Sequence, residues 1–155
     1  MSMQSFDSDG IEIAFYDEGE GDPVLLIHGF ASNIATNWVD TGWVGVLAGA
    51  GRRVIAIDNR GHGKSEKLYD PEKYAAPVMA RDAGRLLDHL AVSRADVMGY
   101  SMGARITAFL AMTRPEKVRS AIFAGLGINM VRGLGGGGPI ASALEAPSID
   151  DVTNE

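Results

Sequence analysis

Apolar residues along this chain switch between a period of two, short unbroken runs and a helical period, and the switches predict its elements. Ser8-Asp9-Gly10 is a turn signal, and the alternating Ile11-Glu12-Ile13-Ala14-Phe15-Tyr16 predicts a half-buried strand. Gly19 to Pro23 is polar turn chemistry. Val24-Leu25-Leu26-Ile27 then forms an apolar run too short for a helix, cut off by His28-Gly29. Such a run suits a strand covered on both faces, as in a parallel sheet. Trp38, Val39, Trp43, Val46 and Leu47 recur at helical spacing up to Gly49-Ala50-Gly51, and Arg53-Val54-Ile55-Ala56-Ile57 predicts the next buried strand. Beyond a turn-rich stretch from Asp58 to Ser65, Met79, Ala83, Leu86, Leu87 and Leu90 mark one face of an amphipathic helix. Arg81, Asp82, Arg85 and Asp88 form its other face.

Asp96-Val97-Met98-Gly99-Tyr100 predicts a short strand running directly into Ser101. The helix after it, Met102 to about Thr113, is apolar nearly all round, which predicts a place in the middle of the domain. Arg114-Pro115 stops it, because the residue before proline avoids the α region. Ser120-Ala121-Ile122-Phe123-Ala124 predicts a last strand. Strands alternating with helices in this order imply an α/β fold with a mostly parallel sheet flanked by helices. Residues 1–125 form that core. The block Gly133-Leu134-Gly135-Gly136-Gly137-Gly138-Pro139 and the polar tail make 126–155 a Gly-rich linker and the start of a cap or lid.

Composition narrows the partners. With 155 residues, 46% hydrophobic and 22% charged, the chain is one ordinary globular domain's worth and excludes a disordered or fibrous protein. Fourteen Lys+Arg against twenty Asp+Glu give a net charge of −6 and a pI near 5.0, which leaves no basic footprint for nucleic acid or an anionic membrane. The absence of cysteine excludes a disulfide framework, a thiolate metal site and a Cys nucleophile, and fits a reducing compartment. The N-terminus lacks the basic and apolar regions of a signal peptide, and no apolar stretch reaches the ~18 residues of a membrane span. The expectation is a cytoplasmic protein. No His, Asp and Glu cluster has metal-ligand spacing, so neither metal nor cofactor is expected.

The sharpest chemical signal is Gly99-Tyr100-Ser101-Met102-Gly103, a G-x-S-x-G between a predicted strand and a predicted helix. A serine on a tight turn at the end of a strand is held exposed. The residues two before and two after it must be tiny so that strand and helix can close on each other. The helix N-terminus adds partial positive charge and free N–H groups where an oxyanion forms. Ser101 is therefore the candidate nucleophile.

Three motifs in order, His28-Gly29-Phe30, Asp58-Asn59-Arg60-Gly61-His62-Gly63-Lys64-Ser65 and the 99–103 elbow, resemble the α/β-hydrolase fold. The branch they resemble is that of small esterases, enol-lactonases and cofactor-free haloperoxidases, over residues from about 11 to 124. The resemblance implies a serine hydrolase acting on small esters or related carbonyl compounds through an acyl-enzyme at Ser101. It also implies an oxyanion hole made by the backbone N–H groups of Phe30 and Met102. Serine rather than aspartate at 101 disfavours haloalkane dehalogenase and epoxide hydrolase relatives. Ala104 stands where this branch commonly has a second glycine. Phe30, Met102 and Trp38 hint at an apolar acyl site.

A serine hydrolase needs a general base, and this fold orders its triad Ser, acid, His along the chain. His28, His62 and His89 all precede Ser101. The resemblance gives His28 a structural duty in the oxyanion motif, His62 reads as a loop residue and His89 as a helix residue. No carboxylate follows the last strand in Gly125-Leu126-Gly127-Ile128-Asn129, and Asp150, Asp151 and Glu155 read as solvated charges. The spacing of Gly133, Gly135 and Gly138 mimics a dinucleotide fingerprint without the strand such a motif must follow. Gly63-Lys64-Ser65 mimics the end of a P-loop, but Asp58 stands where its glycine would be.

The expectation is therefore the N-terminal part of a serine hydrolase, a truncated or split fold of about the first six strands, with the base and the acid missing from this chain. Its last strand would be an apolar edge. The expected partner is a complementary C-terminal polypeptide, or self-association. A non-catalytic binding module retaining the fold, and a serine-triad C–C hydrolase or perhydrolase, remain as alternatives.

Overall fold

The predicted half-buried strand is β2 (Glu12–Glu18). It pairs antiparallel with β1 (Met3–Asp7) on one side and with β4 (Arg53–Ile57) on the other. The two apolar runs β3 (Pro23–Ile27) and β4 lie side by side in parallel, and β5 (Ala95–Tyr100) and β6 (Val118–Ala124) continue the parallel set. The order across the sheet is β1-β2-β4-β3-β5-β6 in this computed structural model, which describes residues 2–128. The expected linker and its glycine block thus lie almost wholly outside the described residues.

Alternation along the central strands divides the core in two. Leu25, Ile27, Ile55, Ile57 and Val97 face α2 (Ala76–His89) and α3 (Met102–Thr113), whose Leu86, Leu87, Ile106 and Leu110 close over them. Val24, Leu26, Val54, Ala56 and Met98 face the other way, toward Ile34, Trp38 and the half-buried Val44 and Leu47 of α1 (Trp43–Gly49). Each wholly buried Leu or Ile contributes about 1.5–3 kcal/mol relative to exposure. No helix among the described residues is long and apolar enough to cross a membrane.

The structure differs from these expectations in four places. The helical spacing from Trp38 to Leu47 is not one helix: a π turn at Ala35–Val39 is separated from α1 by Gly42, whose φ of 85° is left-handed. After that break Val44 and Leu47 turn to the sheet, while Trp43 and Val46 stand 43% and 66% exposed. Asp82, read as part of the solvent face of α2, is buried against Arg60 and Ser8. And β1 was not separately anticipated. In Met3-Gln4-Ser5-Phe6-Asp7 only Phe6 is buried, so an edge strand leaves no period to read. Strand β6 also begins at Val118, two residues before its expected start.

Candidate active site

Parallel register brings four loops to one edge of the sheet. Ile27 pairs with both Ile57 and Gly99, and Tyr100 pairs with Ala124. The segments after β3, β4, β5 and β6 therefore emerge together at the carboxyl ends of the strands, where open α/β sheets bind ligands.

Ser101 occupies the junction of β5 and α3 with φ 52° and ψ −115°, a conformation that a side chain adopts only under strain. The flanking glycines hold it there. A Cβ on Gly99 would stand 2.2 Å from the Gly103 carbonyl oxygen, and one on Gly103 would stand 2.0 Å from that of Ile27. Strand and helix are thus packed backbone to backbone around the serine. The Ser101 amide donates to the Ala124 carbonyl at 2.8 Å, and its own carbonyl accepts from Ala104 at 2.9 Å. The first N–H of α3, that of Met102, has no acceptor among the described residues.

The loop after β3 lies against this turn. A Cβ on Gly29 would be 3.4 Å from the Ser101 Cβ and 3.2 Å from the Tyr100 ring. The Phe30 amide, like that of Met102, meets no acceptor among the described residues, and the Phe30 side chain is 57% exposed. Ala31 in this loop also has positive φ, 53°, one of four non-glycine residues that do so among the described residues, with Asp9, Ala91 and Ser101.

His28 braces this loop. Its Nε2 accepts from the Asn59 amide at 3.0 Å, which leaves Nδ1 to carry the proton and donate to the Gly29 carbonyl at 2.7 Å. The ring is fully buried, and burial pushes its pKa down to about 4, so it is neutral at ordinary pH. The loop from Asp58 to Ser65 is equally tied down. The Asp58 carboxylate accepts from the Ile34 and Lys64 amides at 2.8 and 2.9 Å, and Ser65 Oγ donates to the Asp58 carbonyl while accepting from the Ala14 amide. Arg60 forms a bidentate pair with Asp82, both contacts at 2.7 Å, and Ser8 donates to the same carboxylate. The resemblance to the end of a P-loop is therefore spent on the loop's own bracing.

The structure brings Ser101, Met102 and the Phe30 loop together. Trp38 belongs to the α1-side cluster at 1% exposure, whereas Met102 packs on the α2–α3 side. Trp38 does line a cavity of about 520 Å³ with Asn37, Met98, Tyr100 and Ala124, and its indole N–H has no partner among the described residues. His62 Nδ1 donates to the Arg60 carbonyl at 3.0 Å, and its ring is edge-on to that of Phe30 at 6.0 Å. His89 stacks on Phe6, away from the elbow. The spacing at 133–138, together with Asp150, Asp151 and Glu155, lies outside the described residues. Among the described residues no three His, Asp or Glu side chains converge on a point that could hold a metal ion. Asn37, whose side chain accepts from the Gly29 amide at 3.0 Å, carried no signal in the sequence, because nothing local marks an asparagine as a loop brace.

Residues 22–136 match the alpha/beta hydrolase fold family. A 2-hydroxymuconate semialdehyde hydrolase of Pseudomonas sp. (strain CF600) is 36% identical over 116 residues, covering 75% of this chain and 40% of the relative. A bifunctional epoxide hydrolase 2 of Sus scrofa is 32% identical over 112 residues, covering 72% and 20%. Among solved structures, the epoxide hydrolase VrEH1 from Vigna radiata superposes with a TM-score of 0.72 at 28% identity, over 77% of this chain and 37% of that one. The chain thus spans less than half the length of these relatives. Their sequences, the order of the strands and the strained turn at 101 agree, and the chain belongs to the α/β-hydrolase fold family.

Proposed function

We propose that this chain carries the nucleophile and the oxyanion donors of a serine hydrolase that acts on small esters or related carbonyl compounds. The observation that carries the reading is Ser101 at φ 52°, on a glycine-cleared turn against the 28–31 loop. In this reading the Ser101 hydroxyl attacks a carbonyl carbon and loses its proton to a general base. The carbonyl oxygen becomes an oxyanion held by the Phe30 and Met102 N–H groups. Its collapse expels the leaving group with a proton returned from the base, and water then hydrolyses the acyl-enzyme. Losing one oxyanion donor typically costs about 10²–10³ in rate.

We take the base from none of the three histidines: all precede Ser101 in a fold that orders its triad Ser, acid, His, His28 has both ring nitrogens engaged, and His89 is stacked on Phe6. We assign the base and the acid to polypeptide that adds beside β6, a complementary segment or chain. Strand β6 is at the edge of the sheet among the described residues, with Ile122 and Phe123 54% and 44% exposed, an edge that invites another strand.

A fluorophosphonate probe tests the reading, with imidazole supplied in solution as the missing base. Serine oxygen displaces fluoride from phosphorus, and the chain gains the mass of one phosphonyl adduct. The expected result is an adduct lost in Ser101→Ala. No adduct, or one that survives the substitution, overturns the reading. The likeness to 2-hydroxymuconate semialdehyde hydrolase makes a semialdehyde the second substrate class, separated from esters by product analysis.

A further inference from the structure

We infer that Asn37 is a positioning residue that, together with His28, locks the two peptide planes around Gly29 and so aims the Phe30 N–H at the space beside Ser101 where the oxyanion forms; this rests on the oxyanion role proposed above.

Aim matters here because glycine is the residue least able to hold its own backbone direction. The Gly29 carbonyl and the Phe30 N–H belong to one planar trans peptide and point in opposite directions. Donation from His28 Nδ1 to that carbonyl at 2.7 Å therefore turns the Phe30 N–H away from His28. The preceding plane, the His28 carbonyl with the Gly29 N–H, must also be held, or rotation at Gly29 carries the second plane with it. Asn37 Oδ1 accepts the Gly29 N–H at 3.0 Å, and Asn59 Nδ2 donates to the His28 carbonyl at 3.2 Å. Of the two, the amide contact is the shorter.

Asn37 reaches Gly29 from the π turn. There the Asp40 amide returns to the Ala35 carbonyl at 2.9 Å, a five-residue step, and the Asn37 amide bonds the Asn33 carbonyl at 3.0 Å. Thr41 Oγ1 donates to the Asn37 carbonyl at 2.7 Å. A widened turn of this kind changes the direction in which its side chains leave the backbone, and π turns are frequent at functional sites. The backbone of Asn37 is thus held on both sides while its carboxamide is committed to the loop beside the nucleophile.

The test compares the 155-residue chain with its Asn37→Leu and Asn37→Asp variants. Hydrogen exchange read by mass spectrometry is expected to show one protected amide lost from the segment 28–31 in Asn37→Leu. Exchange in β3 and α3 stays as it was, and protection returns in Asn37→Asp, which keeps the acceptor. The rate of fluorophosphonate addition to Ser101 is expected to fall at least about fivefold in Asn37→Leu, less than loss of a donor because Asn59 still holds the plane. Unchanged exchange at 28–31, or loss of protection throughout the chain, overturns the inference. So does an unchanged labelling rate. If the unsubstituted chain forms no Ser101 adduct, the hydrolase reading falls, and the exchange comparison still decides the part played by Asn37.

Discussion

On the α2–α3 side of the sheet, Leu25, Ile27, Ile55, Ile57, Leu86 and Leu87 are completely buried, and the charged layer above them is paired: Arg60 with Asp82, and Ser8 with the same carboxylate. On the α1 side the central strands are equally dry, but the outer parts are not. Helix α1 buries none of its own residues, and Trp43, Val46 and, at the edge strand, Ile122 stand 43%, 66% and 54% exposed. The two sides have similar strands beneath them, so the difference lies in what each helix brings. A long amphipathic helix closes its side through apolar packing and one buried ion pair. A seven-residue helix leaves apolar surface open. The loops beside the elbow nonetheless take braces from the open side too, where Asn37 accepts the Gly29 amide and the Ile34 amide donates to Asp58.

The strongest way to break this contrast is Asp82→Ala. It leaves the Arg60 guanidinium, 3% exposed, buried without its partner, and should cost about 3–5 kcal/mol in urea unfolding. A loss under about 1 kcal/mol would mean that the pair contributes little to closing this side.

Next comes pH. His28 has a folded pKa of about 4 against an ordinary 6.5, so below 6.5 the unfolded chain takes up a proton that the folded one refuses. Stability is then full above pH 6.5 and falls as pH drops toward 4, by up to about 3 kcal/mol. The window is distinct from that of Asp96. Hydrogen bonding from Arg119, with help from Ser120 and Arg52, holds the Asp96 carboxyl well below the carboxylate range, so its contribution fades only in stronger acid. Unfolding measured from pH 8 to 5 should show the slope in the native chain and a clearly shallower one in His28→Gln.

The smallest effect belongs to the open side. Val46→Ser should change stability by less than about 1 kcal/mol, since that side chain is 66% exposed and little is lost where little was buried. A cost near that of a core truncation, measured by the same urea titration, would show that α1 is covered in solution.

Much of the molecule was readable in one dimension, and the reasons are local. The runs at 24–27 and 53–57 became β3 and β4, the apolar stretch from 102 to 113 became α3, and G-x-S-x-G became the strained turn. Each of these depends on residues within a strand or a turn of one another. The glycines of the elbow are legible because steric exclusion at 2.0–2.2 Å admits nothing else. Strand β1 was illegible for the opposite reason, since an edge strand with one buried side chain has almost no pattern.

The sequence by itself therefore determined the order of strands and helices, the place of the candidate nucleophile and the family, through short-range periodicity and the size of single side chains. Tertiary structure alone decided which charges went inside and which polar groups brace the site. Asp82 meets Ser8 across 74 positions and Arg60 across 22, and Asn59 meets His28 across 31. A charge on a helix reads as solvated until a distant partner arrives to neutralise it, because the cost of burying it depends on a contact that no local window contains.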